Sequence, residues 1–132
     1  MTYRIDPERR LVITRGTGVL KDHEIFGYQR EVWSRPDVAG FNELVDMTDV
    51  TQIMIPSMER VRDLAELAAR MGRGAPRSRM AIVAPDDLAF GLGRMFEIRR
   101  ESAAPGVKPV AVFRTMPEAL TWLGIDGSLD EE

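Results

Sequence analysis

The short apolar run Met80-Ala-Ile-Val-Ala84 ends in Pro85-Asp86-Asp87, and the pattern recurs where Val110-Ala-Val-Phe113 meets Thr115-Met-Pro-Glu118. A run without polar alternation marks a strand covered on both faces, and an acid or Thr ahead of helical spacing marks an N-cap. Alternating strands and capped helices predict a layered α/β domain whose sheet is at least partly parallel. Such a sheet opens its crevice at the C-terminal ends of the strands. Short acids, Thr and Pro fall there, with no nucleophile–base set and no metal-ligand cluster.

The rest of the chain fits the same plan. Tyr3-Arg-Ile5 and Leu11-Val-Ile-Thr-Arg15 read as a hairpin turned by Asp6-Pro7-Glu8-Arg9, because Pro presets the turn φ and Asp bonds the backbone ahead of it. Gly16 and Gly18 are expected to break the second strand. Asp22 is the expected cap of a helix reaching about Ser34, with Ile25, Phe26, Gln29, Val32 and Trp33 on one stripe. Phe41 to Asp46 reads as a strand entering the loop Asp46-Met-Thr-Asp-Val-Thr51. Ser57 caps a helix to Met71 with Val61, Leu64, Ala65, Ala68 and Met71 inward, and Gly72 stops it. The last helix opens on a capping box, Thr115 with Glu118, with Pro117 in the first turn. The order is ββαβαβαβα, read as one domain over residues 1–124 and an acidic tail over 125–132.

Composition narrows the classes. Among 132 residues there is no cysteine, which removes disulfides, thiol catalysis and zinc–thiolate sites. One histidine removes metal sites that need two. A formal charge of −3 gives no electrostatic reason for a nucleic-acid partner. The first residues lack a signal-peptide core and no apolar run is long enough to span a bilayer, so cytoplasmic residence without membrane insertion is the expectation. Arg70, Arg73, Arg77 and Arg79 cluster around a connection and read as a solvated loop, with anion binding as the alternative.

Several pieces together resemble one family. They are the opening hairpin, the Leu44-Val-Asp46 strand end, Met80 to Pro85, the segment Leu88-Ala-Phe-Gly-Leu-Gly-Arg-Met-Phe96, and the ending Phe113-Arg-Thr-Met-Pro-Glu-Ala-Leu-Thr-Trp-Leu123. The chain resembles, from about Tyr3 to Leu123, the SpoIIAA-like group of small bacterial proteins, related to STAS domains and distantly to the CRAL-TRIO lipid-transfer fold. The resemblance implies an α/β fold with a mixed sheet of about five strands and helices packed mainly on one face. STAS relatives act as anti-sigma factor antagonists, sensor modules or transporter appendages, generally by binding proteins and often under Ser or Thr phosphorylation. Their phosphosite follows a strand-ending Asp in an Asp-Ser-Ser-Gly type loop. Asp46 matches that Asp and Thr48 the modified hydroxyl, while the following Gly is absent here.

Two groups of candidate site residues follow. Asp46, Thr48 and Asp49 are ligand or phospho-acceptor candidates, against the plainer reading that they bond their own backbone. Asp86, Phe90 and Arg94 are candidates for contact with a partner or an apolar ligand. One of Asp86 and Asp87 is expected to cap its helix. At helical spacing Leu88, Leu92, Met95, Phe96 and Ile98 share an arc that Phe90 opposes, as an interface residue would. Gly91 and Gly93 lie inside the helix and miss the dinucleotide fingerprint, so close packing is their expected use. No metal site and no cofactor is expected. The leading functional expectation is a non-enzymatic, STAS-type regulatory module that binds a protein or a second copy of itself. A small carrier or sensor of an apolar ligand is the alternative.

Overall fold

The computed structural model describes residues 1–55, 57–72 and 78–126. Five strands, β1 (Thr2–Asp6), β2 (Leu11–Lys21), β3 (Asn42–Met54), β4 (Met80–Val83) and β5 (Val110–Phe113), alternate with α1 (Asp22–Trp33), α2 (Met58–Gly72), α3 (Asp87–Ala103) and α4 (Met116–Leu123). All five strands join one sheet in the order β1-β2-β3-β4-β5; β1 is antiparallel to β2 and the other pairings are parallel. The order ββαβαβαβα and the mixed five-stranded sheet are therefore as the sequence predicts. Arg73, Arg77 and residues 127–132 of the expected tail lie outside the described residues.

Sequential parallel strands place successive right-handed crossovers on the same side of a sheet. Thus α1, α2 and α3 cover one face, where Val45, Val61, Ala65, Ile82, Phe96 and Val112 pack together. α4 crosses to the other face and buries Ala119, Leu120 and Leu123 on Leu11, Leu44 and Val83. Arg79 ties that helix down: its guanidinium donates to the Trp122 carbonyl at 2.7 Å and lies 5.3 Å from the Trp122 ring centre.

Caps at the later helices fall where the spacing puts them. The Asp86 carboxylate accepts from Leu88 and Ala89 N–H at 3.0 and 3.2 Å. Ser57 Oγ accepts from Arg60 N–H at 3.3 Å. The Thr115 hydroxyl accepts from Glu118 N–H at 3.4 Å, and Gly124 closes α4 at φ 76°. Thr115→Ala should therefore cost about 1 kcal/mol in urea unfolding; unchanged stability would deny the cap.

Three local expectations are corrected. Gly16 and Gly18 do not break β2, which runs on to Lys21. Both fall at register shifts against β3. A Cβ on Gly16 would lie 2.9 Å from Val50 Cγ2 and 3.3 Å from Met47 Sδ, so the missing side chain makes room for extra β3 residues instead of ending the strand. Correspondingly, Asp46 to Thr51 is not a loop; β3 continues through it to Met54. Asp22 is the first helical residue of α1 and not its cap, because β2 leads into the helix without a spacer. Its carboxylate instead accepts from Arg60 Nε at 3.0 Å, joining α1 to α2.

Candidate functional site

Along the face under α1–α3, the register aligns Val12, Glu43, Met80 and Val110 in one row. An ionised side chain in such a row demands partners, since an isolated buried charge is costly. Glu43 is 1% exposed and has them. Lys108 Nζ donates to Oε1 at 2.9 Å, and the Tyr28 hydroxyl donates to Oε2 at 2.7 Å. Tyr28 in turn accepts from Thr14 Oγ1 at 2.7 Å and Trp33 Nε1 at 3.2 Å. Lys108 Nζ sits 3.3 Å from the Trp33 ring centre, which closes a circuit of acid, ammonium, indole and phenol. The cluster lies at the N-terminal end of the parallel strands, opposite the crevice end that the sequence favoured.

Lys108 has φ 45°, a left-handed conformation sparsely used by side-chain-bearing residues. The ion pair with Glu43 and the indole face hold it there. Burial pulls the Lys108 ammonium below its ordinary value, opposed by the Glu43 charge. Burial pushes the Tyr28 phenol well above its ordinary value of 10.0, and the Glu43 charge adds to the rise.

The signs of these shifts give a pH prediction. Tyr28 favours the folded state fully below pH 10, and that contribution disappears as pH climbs toward its folded value. Lys108 works oppositely, its cost fading up to its ordinary 10.5, so the alkaline loss of stability sets in above that. Tyrosinate absorbance should show Tyr28 ionising together with loss of near-UV circular dichroism. Ionisation of Tyr28 near pH 10 in the still-folded protein would contradict the burial argument.

Next to this cluster lies a cavity of about 90 Å³ between the sheet and α1–α3. Its polar end is Tyr28, Gln29 and Glu43; its body is apolar, with Val45, Ile82, Leu92 and Phe96 among the walls, and its far end is Met47, Ile53 and Ile55.

The two predicted groups lie elsewhere, at the C-terminal end of the sheet. Asp46 Oδ1 accepts from the Thr48 backbone at 3.0 Å and from its hydroxyl at 2.5 Å. Thr48 is exposed, and Asp49 bonds Arg15 of β2. The structure thus holds Asp46 and Thr48 together, at a strand bulge. Asp86 caps α3, while Arg94 pairs with Glu97 at 2.9 Å. Phe90 does not stand away from the core. It is half-buried against the helix-side core, and the Arg114 guanidinium lies 4.1 Å from its ring centre. Arg114 also bonds the Pro85 carbonyl at 3.0 Å and Asp87 at 2.6 Å, which braces the start of α3.

The arc expected to face the core is rotated. Ala89, Gly93, Phe96 and Arg100 are buried, whereas Leu88 and Ile98 are 62% and 59% exposed. Gly93 explains the rotation: an added Cβ would stand 3.1 Å from one Val112 methyl and 3.2 Å from the other, so α3 meets β5 through its glycine.

Glu43, Tyr28 and Lys108 escaped the sequence reading. One signal was available, since Phe41, Glu43 and Val45 share a strand face and an acid between two large apolar residues implies a buried partner. Nothing local marks Lys108.

Among the described residues no three His, Cys, Asp or Glu side chains converge on a metal position, and no helix is long and apolar enough to cross a membrane. No protein-family profile and no curated protein matches the sequence. Among solved structures, the chain is similar to an uncharacterized protein from the DUF3478 family with a SpoIIAA-like fold, from Shewanella loihica PV-4. The TM-score is 0.52 and the identity 20%, over 86% of this chain and 83% of that one. With the strand order and helix placement above, this likeness gives the chain a SpoIIAA-like fold.

Proposed function

We propose that the chain is a non-enzymatic binding module, a carrier or sensor of a small apolar ligand held beneath α1–α3. The observation that carries the reading is the cavity, whose apolar walls end on Tyr28 and Glu43. Those polar groups are engaged with one another and with Lys108, so they orient a guest without offering it a free acid or base. About 90 Å³ is less than the roughly 150 Å³ that accepts benzene and far below the roughly 300–1,000 Å³ of drug-sized sites. The guest is accordingly small, or it displaces a helix as it enters. A bacterial cytoplasmic setting suits a cysteine-free chain with this fold.

Xenon under pressure, an apolar probe smaller than benzene, should raise the melting temperature by mass action on the folded state. Ala89→Leu, which fills the cavity wall, should remove that response, with Leu64→Phe as a second filling variant. No response in the parent, or an equal response in both variants, would sink the reading.

Leu88 favours a second reading, a STAS-type regulatory module that binds a protein. It is 62% exposed on the first turn of α3. Exposed Thr48, at the same end of the sheet, is then the modifiable hydroxyl. Leu88→Ser and Thr48→Glu should weaken self-association in sedimentation, or capture of a recovered partner, with melting nearly unchanged. Parent-like binding by both variants would leave the surface without this role.

A further inference from the structure

A second cleft, of about 260 Å³, lies between the C-terminal half of α3 and the connection into β5, with Ile98, Val107 and Val110 as apolar walls. Its two most buried lining residues are Arg100, 3% exposed, and Lys108, 8% exposed. Both terminal nitrogens of Arg100 are buried without a hydrogen-bond partner among the described residues. A guanidinium carries five donors in a planar fork, and leaving two of its nitrogens unengaged in the interior is costly. Glu43 is taken by Lys108 at 2.9 Å, and the Glu101 charge acts on Arg100 without a hydrogen bond to it, so the guanidinium has negative charge nearby but no acceptor among the described residues on either terminal nitrogen.

We propose that this cleft is a binding site for one small carboxylate ligand, received by the Arg100 guanidinium with Lys108 beside it. The carboxylate satisfies both nitrogens through the bidentate geometry that arginine favours. A short apolar body fits against Ile98, Val107 and Val110. Both nitrogens are closed to solvent as the side chain stands, so binding requires the guanidinium to turn its fork toward the cleft that Arg100 lines. Two other lining residues, Glu97 and Glu101, set the charge of the ligand. Glu97 is paired with Arg94 at 2.9 Å and Glu101 accepts from Gly106 N–H at 3.1 Å, so neither neutralises Arg100 by hydrogen bonding. Their carboxylates, with the negative end of α3, repel a dianion more than a monoanion. Inorganic phosphate, a mixture of monoanion and dianion at neutral pH with no apolar body for Ile98, Val107 and Val110, is the poorer fit.

Butyrate is the probe, with sodium chloride at equal ionic strength and n-butanol as controls, read by melting temperature and by the Arg100 side-chain NMR signal. Butyrate should raise the melting temperature and shift that signal, and neither control should. Arg100→Met should weaken butyrate binding at least tenfold. Arg100→Lys, which keeps the charge and loses the fork, should weaken it too, and it carries the test if the first variant does not fold. Equal effects of butyrate and chloride, equal effects of butyrate and n-butanol, or parent-like affinity in Arg100→Lys would overturn the site. Tighter binding of inorganic phosphate than of butyrate would overturn the carboxylate assignment.

Discussion

Glu43→Ala should destabilise the fold by about 3–5 kcal/mol, because removing one member of a buried ion pair leaves the other charge unpaired in the interior. The stranded group is Lys108, whose Nζ has Glu43 as its carboxylate partner at 2.9 Å. Tyr28 loses its acceptor in the same step. Urea denaturation monitored by far-UV circular dichroism measures the loss. Attraction within the pair is largely offset by the cost of dehydrating it, so the double variant Glu43→Leu with Lys108→Met should recover much of the deficit. A single variant within about 1 kcal/mol of the parent would mean that water already reaches the ammonium.

Gly93→Leu should cost roughly 1–3 kcal/mol by overpacking. Any Cβ there already presses on both Val112 methyls, and β5 beneath is backbone-paired to β4, so the helix must lift. Two residues earlier the effect changes sign. Gly91 is exposed with open space around its Cβ position, so Gly91→Ala should stabilise by about 0.5–1 kcal/mol through helix propensity alone. Thermal unfolding of the two variants side by side tests the claim that α3 faces β5 through Gly93. A neutral Gly93→Leu would refute it.

These sites also show which parts of the molecule a linear reading reaches. The caps at Asp86 and Thr115 and the strands they follow were legible because cap, strand and turn chemistry are decided within a few residues. The bulge at Asp46 was not, since what keeps β3 extended is room left by Gly16 on a different strand. A match to a phosphorylated loop therefore sits in a strand. The rotated face of α3 failed for a related reason: hydrophobic periodicity weighs large side chains, and the contact here is made by the smallest. The Glu43–Lys108 pair spans 65 residues, beyond any local pattern, although Glu43 between Phe41 and Val45 announced that some partner was needed.

The unequal lengths of the strands have a mechanical consequence. β4 ends at Val83 opposite Asp46, so from Met47 onward β3 is paired with β2 alone. A ribbon of two strands has little independent stability, in contrast with the interior of a five-stranded sheet. Met47, Ile53 and the nearby Ile55, at the far end of the cavity, belong to this ribbon or follow it directly, while the near end is fastened by the ion pair and its hydrogen-bonded phenol. The chamber therefore has one stiff wall and one compliant wall. Its volume varies with the twist of the ribbon, and small openings begin at the end away from the charges.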